Sequence, residues 1–274
     1  HQETAALQRP VQPEQPPAVS QTQPIQSATA NGAPGDQTAL LQSPQAPTTP
    51  SASENATAVA LDSYYQQSKL WQYMKQTFPD WYSEHIKAAA ALGNGAAPPR
   101  DATKSMVEGL VALRRQHANE ALQANTAMLK LIATAFLNNL QALAEKGPDT
   151  CYGFISQGET SPGSIDLFHK PQSAPELEAQ ALTIFEAITA GTTAPSEHER
   201  PKKGDYDVLA AELGKLGWSQ ADLQLFADPK ALSNAPHGRV CAMVRDWFKA
   251  HIAISDAAVQ ERLLYETLRP VVAG

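Results

Sequence analysis

Residues 126–146 read TAMLKLIATAFLNNLQALAEK, and this stretch decides the fold class. Asn125 or Thr126 is suited to cap the start of a helix here, and Gly147-Pro148 is suited to end it. The large apolar residues of the stretch recur every three or four positions, which places them on one face of an α-helix: Leu129, Ile132, Phe136, Leu140 and Leu143. The stretch therefore predicts an amphipathic helix.

The same period continues in both directions from this helix. Further apolar stripes are centred on Leu110, Ile184, Leu213 and Val244. No window of five or more residues alternates apolar and polar side chains with enrichment in β-branched residues, which is the pattern of a half-buried strand. The spacing predicts an all-α fold, an irregular bundle of about seven to nine helices. The long connections are expected at 157–174 and 191–204.

Residues 1–57 differ in composition from the rest of the chain. They contain nine prolines, ten glutamines and five charged residues, whereas all 18 aromatic residues lie between 58 and 274. A segment of this kind buries too little apolar surface to offset its conformational entropy. The composition predicts a disordered Pro/Gln/Ala/Thr-rich linker over 1–57, with a reach of roughly 150 Å when extended. An all-helical domain then covers 58–274, with possible subdomains 58–147 and 148–274.

The charge balance is acidic, with 28 Asp and Glu against 21 Lys and Arg and a formal net charge of −7. Nucleic-acid binding is not expected, because the basic residues form only dipeptides such as Arg114-Arg115 and Lys202-Lys203 rather than a stripe. The longest purely apolar run has five residues, so no transmembrane segment is predicted. The chain starts at His1, which fits a removed leader, a membrane anchor upstream of His1, or a tag.

Cys151 and Cys241 are the only cysteines in the chain. Two cysteines are too few for a structural zinc site, and neither belongs to a CxxC motif. In an oxidising compartment the pair is expected to form a disulfide, which would stabilise the fold by roughly 4–5 kcal/mol in the chain-entropy model. The alternatives are two buried free cysteines and, more remotely, a catalytic cysteine with His169 or His237 as its base.

Seven aromatic residues are concentrated between positions 64 and 82. On one continuous helix, Tyr64, Trp71, Met74 and Phe78 would share a core-facing side, and the preferred interpretation of the cluster is packing. The competing hypothesis is a partner-binding surface, because tyrosine and tryptophan combine apolar area with a polar atom. The residues assigned to such a surface are these: Tyr65, Trp71, Tyr73, Trp81 and Tyr82.

No short motif indicates catalysis, a cofactor or a metal. The sequence has no GxGxxG motif, no P-loop and no HExxH. We interpret Glu84-His85 and Glu197-His198-Glu199 as solvated surface charges. A glycan hydrolase would need two carboxylates at a defined separation, and the candidates are Glu108, Glu120 and Glu159. No catalytic, cofactor-binding or metal-binding residue is therefore assigned.

The sequence as a whole favours a non-enzymatic protein-interaction or scaffold domain on a flexible tether. Its expected partner is another protein, held in grooves between helices. A periplasmic or secreted location in the bacterial cell envelope is expected from the tether and the cysteine pair, with the cytoplasm as the alternative. The alternative function is an enzyme or small-ligand-binding protein whose site is assembled between helices, for example an envelope glycan hydrolase.

Overall fold

The computed structural model describes residues 51–93, 98–170 and 172–274. These residues form helices and no strand, so the predicted all-α fold is confirmed. The predicted linker over 1–57 lies outside the described residues up to position 50. The first helix begins at Ala52, earlier than the boundary predicted at 57/58, because Ser51 and Glu54 form a capping box at its start.

The described residues contain 15 α-helices and one 3-10 turn at Gly158–Thr160. The helices are α1 (Ala52–Tyr65), α2 (Lys69–Thr77), α3 (Pro79–Ala91), α4 (Arg100–Gln116), α5 (Ala118–Leu122), α6 (Thr126–Lys146), α7 (Pro148–Gln157), α8 (Pro162–Phe168), α9 (Pro175–Thr193), α10 (Lys203–Lys215), α11 (Gln220–Ala227), α12 (Pro229–Ser233), α13 (His237–Ala253), α14 (Ala257–Thr267) and α15 (Arg269–Ala273).

The number of helices in the described residues exceeds the predicted seven to nine. Short helices account for much of the difference: α5, α12 and α15 have five residues each, and α8 has seven. Such helices are shorter than the window in which a 3.6-residue period can be recognised. The predicted 157–174 loop is likewise wrong in part, because it contains the 3-10 turn and α8, whose start is capped by Ser161.

The predicted continuous helix through Tyr64 and Phe78 is also wrong. A turn at Gln66–Ser68 separates α1 from α2, and Gln66 supports this turn by donating from its side-chain amide to the Trp71 carbonyl oxygen at 3.0 Å. Tyr65 therefore ends one helix and Tyr73 lies on the next. Their eight-residue separation does not place them on a common face.

Helix α6 lies at the centre of the bundle. It packs against α7, α9, α13 and α14, and Leu129, Ile132 and Leu140 on it are fully buried. Within the described residues, α6 alone is long and apolar enough to cross a membrane, and 44% of its apolar window is buried inside the bundle. A core helix of a globular protein meets the same criterion, and the contacts of α6 are those of a core helix.

Two apolar clusters stabilise the bundle, and residues 51–274 form one compact unit. The larger cluster runs from α1 to α15. The smaller one joins α10, α13 and α14 through Leu209, Leu213, Ala250, Ile254 and Leu263. Helix α6 precedes the subdomain boundary predicted at 147/148, yet its packing partners α7, α9, α13 and α14 all follow that boundary.

Gly191 allows α9 to approach α5 closely. A Cβ atom at this position would overlap the backbone carbonyl oxygen of Glu120. A glycine is therefore required here for a steric reason rather than for its backbone freedom.

Candidate functional site

The structure corrects the predicted partner-binding residues, because three of the five lie in the core. Tyr65 and Trp71 are 1% exposed and Tyr82 is 3% exposed. The Tyr65 hydroxyl lies 3.1 Å from the Thr103 hydroxyl, and the Tyr82 hydroxyl donates to Asp62 at 3.0 Å. Burial raises the pKa of the Tyr65 hydroxyl to about 12. These three side chains are covered by neighbouring helices and cannot contact a partner in this conformation.

Tyr73 and Trp81 remain partly accessible. The Tyr73 hydroxyl lies 2.7 Å from the hydroxyl of Thr189 on α9, while the Trp81 ring stacks on His85 with 4.2 Å between ring centroids. The His85 ring rests against Gly109 of α4, where any Cβ atom would collide with it. The predicted N-terminal surface is thus reduced to two residues, each already engaged with a neighbour, and its role in binding stays a prediction.

A second group of aromatic residues, which the sequence did not indicate as a site, lies at the other end of the chain. Phe226 on α11 packs with its ring centroid 5.3 Å from that of Trp218 and 4.8 Å from that of Trp247 on α13. All three rings are only partly buried. Together with the partly buried Leu223, which packs with Trp218 and Trp247 against the second apolar cluster, they form what we call the α11 surface. Leu225, which precedes Phe226 on α11, is also partly buried.

Helix α11 and its neighbour α12 lie at the periphery of the bundle. Neither helix contains a fully buried residue. Polar contacts hold the α11 surface in place: the Trp218 indole donates to Asp246 at 3.1 Å, and Arg239 donates to Asp222 at 2.8 Å. A capping box of Ser219 and Asp222 defines the start of α11.

The sequence signal for the α11 surface was weak. Trp218 and Phe226 are eight residues apart on either side of a helix start, so no periodicity connects them. Phe226 meets Trp247 only because α11 folds back onto α13. A local sequence pattern cannot report a contact of this kind.

The candidate carboxylates for a glycan hydrolase do not converge on a cleft. Glu159 is buried and paired with Arg114 at 3.1 Å, and Arg114 also donates to the Val272 carbonyl oxygen at 2.6 Å. Glu108 is exposed beside Lys104, and Glu120 lies beside His117. Two surface depressions of about 310 and 270 Å³ lie along α1 and α6, and none of the three carboxylates lines either one.

Arg114, one half of the basic dipeptide Arg114-Arg115, is a buried structural residue. Its guanidinium ties α4 to the C-terminal helix α15 through two backbone carbonyl oxygens. His198 was expected at the surface, but its side chain is 1% exposed. Among residues 51–93, 98–170 and 172–274, no three His, Cys, Asp or Glu side chains are grouped so as to hold a metal ion.

The predicted disulfide between Cys151 and Cys241 is confirmed, with the two Cα atoms 6.0 Å apart. It joins α7 to α13 in the core, so neither thiol is free and the idea of a catalytic cysteine is wrong. His237 of α13 also contacts α7. Its Nδ1 lies 2.7 Å from the Asp149 carboxylate, and its ring stacks on Tyr152 with 3.8 Å between ring centroids. The bridge is compatible with an oxidising compartment.

No protein-family model matches this chain, and the comparisons with curated proteins and with solved structures also return no significant match.

Proposed function

We propose that this chain is a non-enzymatic protein-interaction domain whose main contact is the α11 surface. The observation that carries the proposal is the row of partly buried rings formed by Trp218, Phe226 and Trp247. Large aromatic side chains that keep accessible area are the residues on which binding energy is usually concentrated. The expected partner is another protein with a complementary apolar surface.

The arrangement of the α11 surface supports this assignment. Trp218 and Leu223 pack on one side against the second core cluster, and helix α11 is capped at its start. A rigid apolar surface pre-formed in this way lets a partner bind without ordering the side chains first, which reduces the entropic cost of association. Trp81 and Tyr73 form a second, smaller candidate contact.

The Pro/Gln-rich composition of residues 1–50 supports a tether in the same proposal. A proline-rich segment acts as an extended spacer and raises the effective concentration of an attached domain near its partner. We place the domain in the periplasm or outside the cell, with the cytoplasm as the alternative. Trapping thiols in acid during lysis of the native cells tests this placement: cysteines that react only after reduction support it, and free thiols contradict it.

The interaction is tested by photo-crosslinking at one position next to Phe226 on α11 and at one position away from α11. A photoreactive amino acid replaces Leu225 in the native cells and, as the matched control, Leu131 on the exposed side of α6. We expect a specific crosslinked protein from position 225 and none from position 131. Equal crosslinking at the two positions, or none at either, contradicts the proposal.

The crosslinked protein is then purified and titrated with variants. Leu225→Glu places a charge next to Phe226 of the α11 surface and is expected to weaken binding at least about tenfold, which corresponds to about 1.4 kcal/mol. Leu131→Glu is the matched control, with unchanged affinity expected. Circular dichroism checks that both variants remain folded. Unchanged affinity in a folded Leu225→Glu variant shows that α11 is not the contact.

A further inference from the structure

The loop between α9 and α10, residues 194–202, is fastened to the bundle by backbone and side-chain contacts. The Ser196 N–H donates to the Gln123 carbonyl oxygen at 2.7 Å, just beyond α5. Ser196 and His198 face inward while Glu197 and Glu199 between and beside them are exposed. This alternation makes His198 the side chain that the loop inserts into the bundle.

Both ring nitrogens of His198 face acceptors. Nδ1 lies 2.7 Å from the Glu261 carboxylate on α14, and Nε2 lies 2.7 Å from the Ala124 carbonyl oxygen. A neutral imidazole has one N–H and one lone pair, so it can donate to only one of the two. The doubly protonated ring donates to both, and the geometry therefore selects the charged form of His198.

His251 shows the opposite arrangement in the same protein. Its Nδ1 lies 2.7 Å from the Trp247 carbonyl oxygen, to which it donates, and its Nε2 lies 2.8 Å from the Thr267 hydroxyl, which can donate in return. A neutral ring satisfies both contacts. Burial lowers the pKa of His251 to about 4, so this ring stays neutral where ordinary histidines titrate.

Most charged groups near His198 are engaged in ion pairs with other residues. Among residues 51–93, 98–170 and 172–274, Glu261 is the only carboxylate that pairs with the His198 ring, and the hydrogen bond from His198 is the main cause that lowers the pKa of Glu261. Arg262 follows Glu261 but is engaged with Asp205 of α10 at 2.7 Å. On the loop itself Glu199 pairs with Lys202 at 3.4 Å. The Tyr265 ring of α14 lies 5.4 Å from the imidazole.

We propose that His198 is a pH-sensitive latch, which holds the 194–202 loop against Ala124 and Glu261 when the imidazole is protonated and releases the loop when it is neutral. Loss of the proton leaves one of the two acceptors facing a ring lone pair across 2.7 Å, beside an imidazole that is itself 1% exposed. The loop then opens more often. Opening frees the loop backbone and uncovers the carbonyl oxygens of Gln123 and Ala124. The latch does not depend on the interaction proposed for α11.

Hydrogen exchange of the loop amides, followed by NMR on the whole chain, tests the latch. After correction for the intrinsic exchange rate, protection of the Ser196 amide is expected to fall about tenfold or more between about pH 5 and pH 8, where histidine titrates. The ring nitrogen shifts of His198 should change over the same range, while those of His251 stay constant. Protection that does not vary with pH overturns the proposal.

Two variants separate a latch from a merely structural contact. Thr126 also hydrogen-bonds to Glu261, and in Glu261→Gln the amide oxygen can still accept from it. The amide NH2 group can donate to Nδ1 of His198, so a neutral His198 can donate its one N–H to the Ala124 carbonyl oxygen. We expect loop protection in this variant to be retained at every pH. His198→Ala should open the loop at every pH. A pH dependence in Glu261→Gln equal to that of the wild type overturns the proposal, provided circular dichroism shows a folded chain.

Discussion

Aromatic residues are concentrated in two regions of this protein, and the regions differ in what covers them. Around α1–α3, Tyr65, Trp71 and Tyr82 are enclosed by neighbouring helices and their polar atoms are satisfied within the core. Around α11, Trp218 and Phe226 are covered on one side only. The difference teaches that the region densest in aromatic residues along the chain is buried, whereas the rings that keep accessible area lie where packing is incomplete.

The largest effect is expected from the enclosed region. Trp71→Ala removes a fully buried ring that packs edge-on to Tyr65 with 5.5 Å between centroids. The variant should lose about 3–5 kcal/mol of the free energy of unfolding, since the surrounding helices cannot close the cavity completely. Urea denaturation followed by circular dichroism measures the loss. A loss below about 1 kcal/mol would mean that this region is not part of the core.

The next effect comes from His251, which lies beneath the α11 surface on the same helix as Trp247. Its folded-state pKa of about 4 is lower than the ordinary 6.5, so below pH 6.5 the unfolded chain binds a proton that the folded chain does not. The stabilisation is complete above about pH 6.5 and is lost as the pH falls towards 4. It amounts to about 3 kcal/mol.

Urea denaturation at a series of pH values measures this contribution in the wild type and in His251→Gln. Carboxylates also titrate near pH 4, so the quantity of interest is the difference between the two proteins. That difference should shrink as the pH falls from about 6.5 to 4, because only the wild type loses the histidine contribution. A difference that is constant over this range contradicts a neutral buried His251.

A smaller effect is expected at the α11 surface. Phe226→Ala removes a ring that is only partly buried, so the free energy of unfolding should fall by about 1–2 kcal/mol, less than for Trp71→Ala. The same denaturation experiment compares the two. A loss as large as that of Trp71→Ala would show that Phe226 belongs to the core, and the comparison between the regions would fail.

The sequence was sufficient for the parts of the fold that depend on local periodicity. The helix over 126–146 was predicted from spacing and cap residues alone. The turn at Gln66–Ser68 and the helix α8 were missed, because breaks and helices of a few residues are decided by contacts with distant segments. The hydrogen bond from Ser68 to Glu178 is one such contact.

The candidate site was less predictable for the same reason. The disulfide could be anticipated, since two cysteines allow one intramolecular pairing. Nothing local indicated that His198, flanked by two exposed glutamates, would be buried between Ala124 and Glu261. The α11 surface depends on the contact between Phe226 and Trp247, 21 residues away along the chain.

The smallest losses in the free energy of unfolding, about 1 kcal/mol each, are expected from removing two helix caps. One cap lies on the core helix α6 and the other on the peripheral helix α11, so the two variants compare these regions directly. Ser219 caps α11 and Asn125 caps α6, each by accepting from the backbone N–H of the third residue of its helix. Replacing either with alanine leaves that donor unpaired.

In Asn125→Ala the loss should appear in global unfolding, because α6 contacts α7, α9, α13 and α14. In Ser219→Ala it should appear only as faster amide exchange within α11, since a peripheral helix can open while the bundle stays folded. Faster exchange throughout the bundle in Ser219→Ala would show that α11 unfolds only with the core, and the α11 surface would then be part of that cooperative unit.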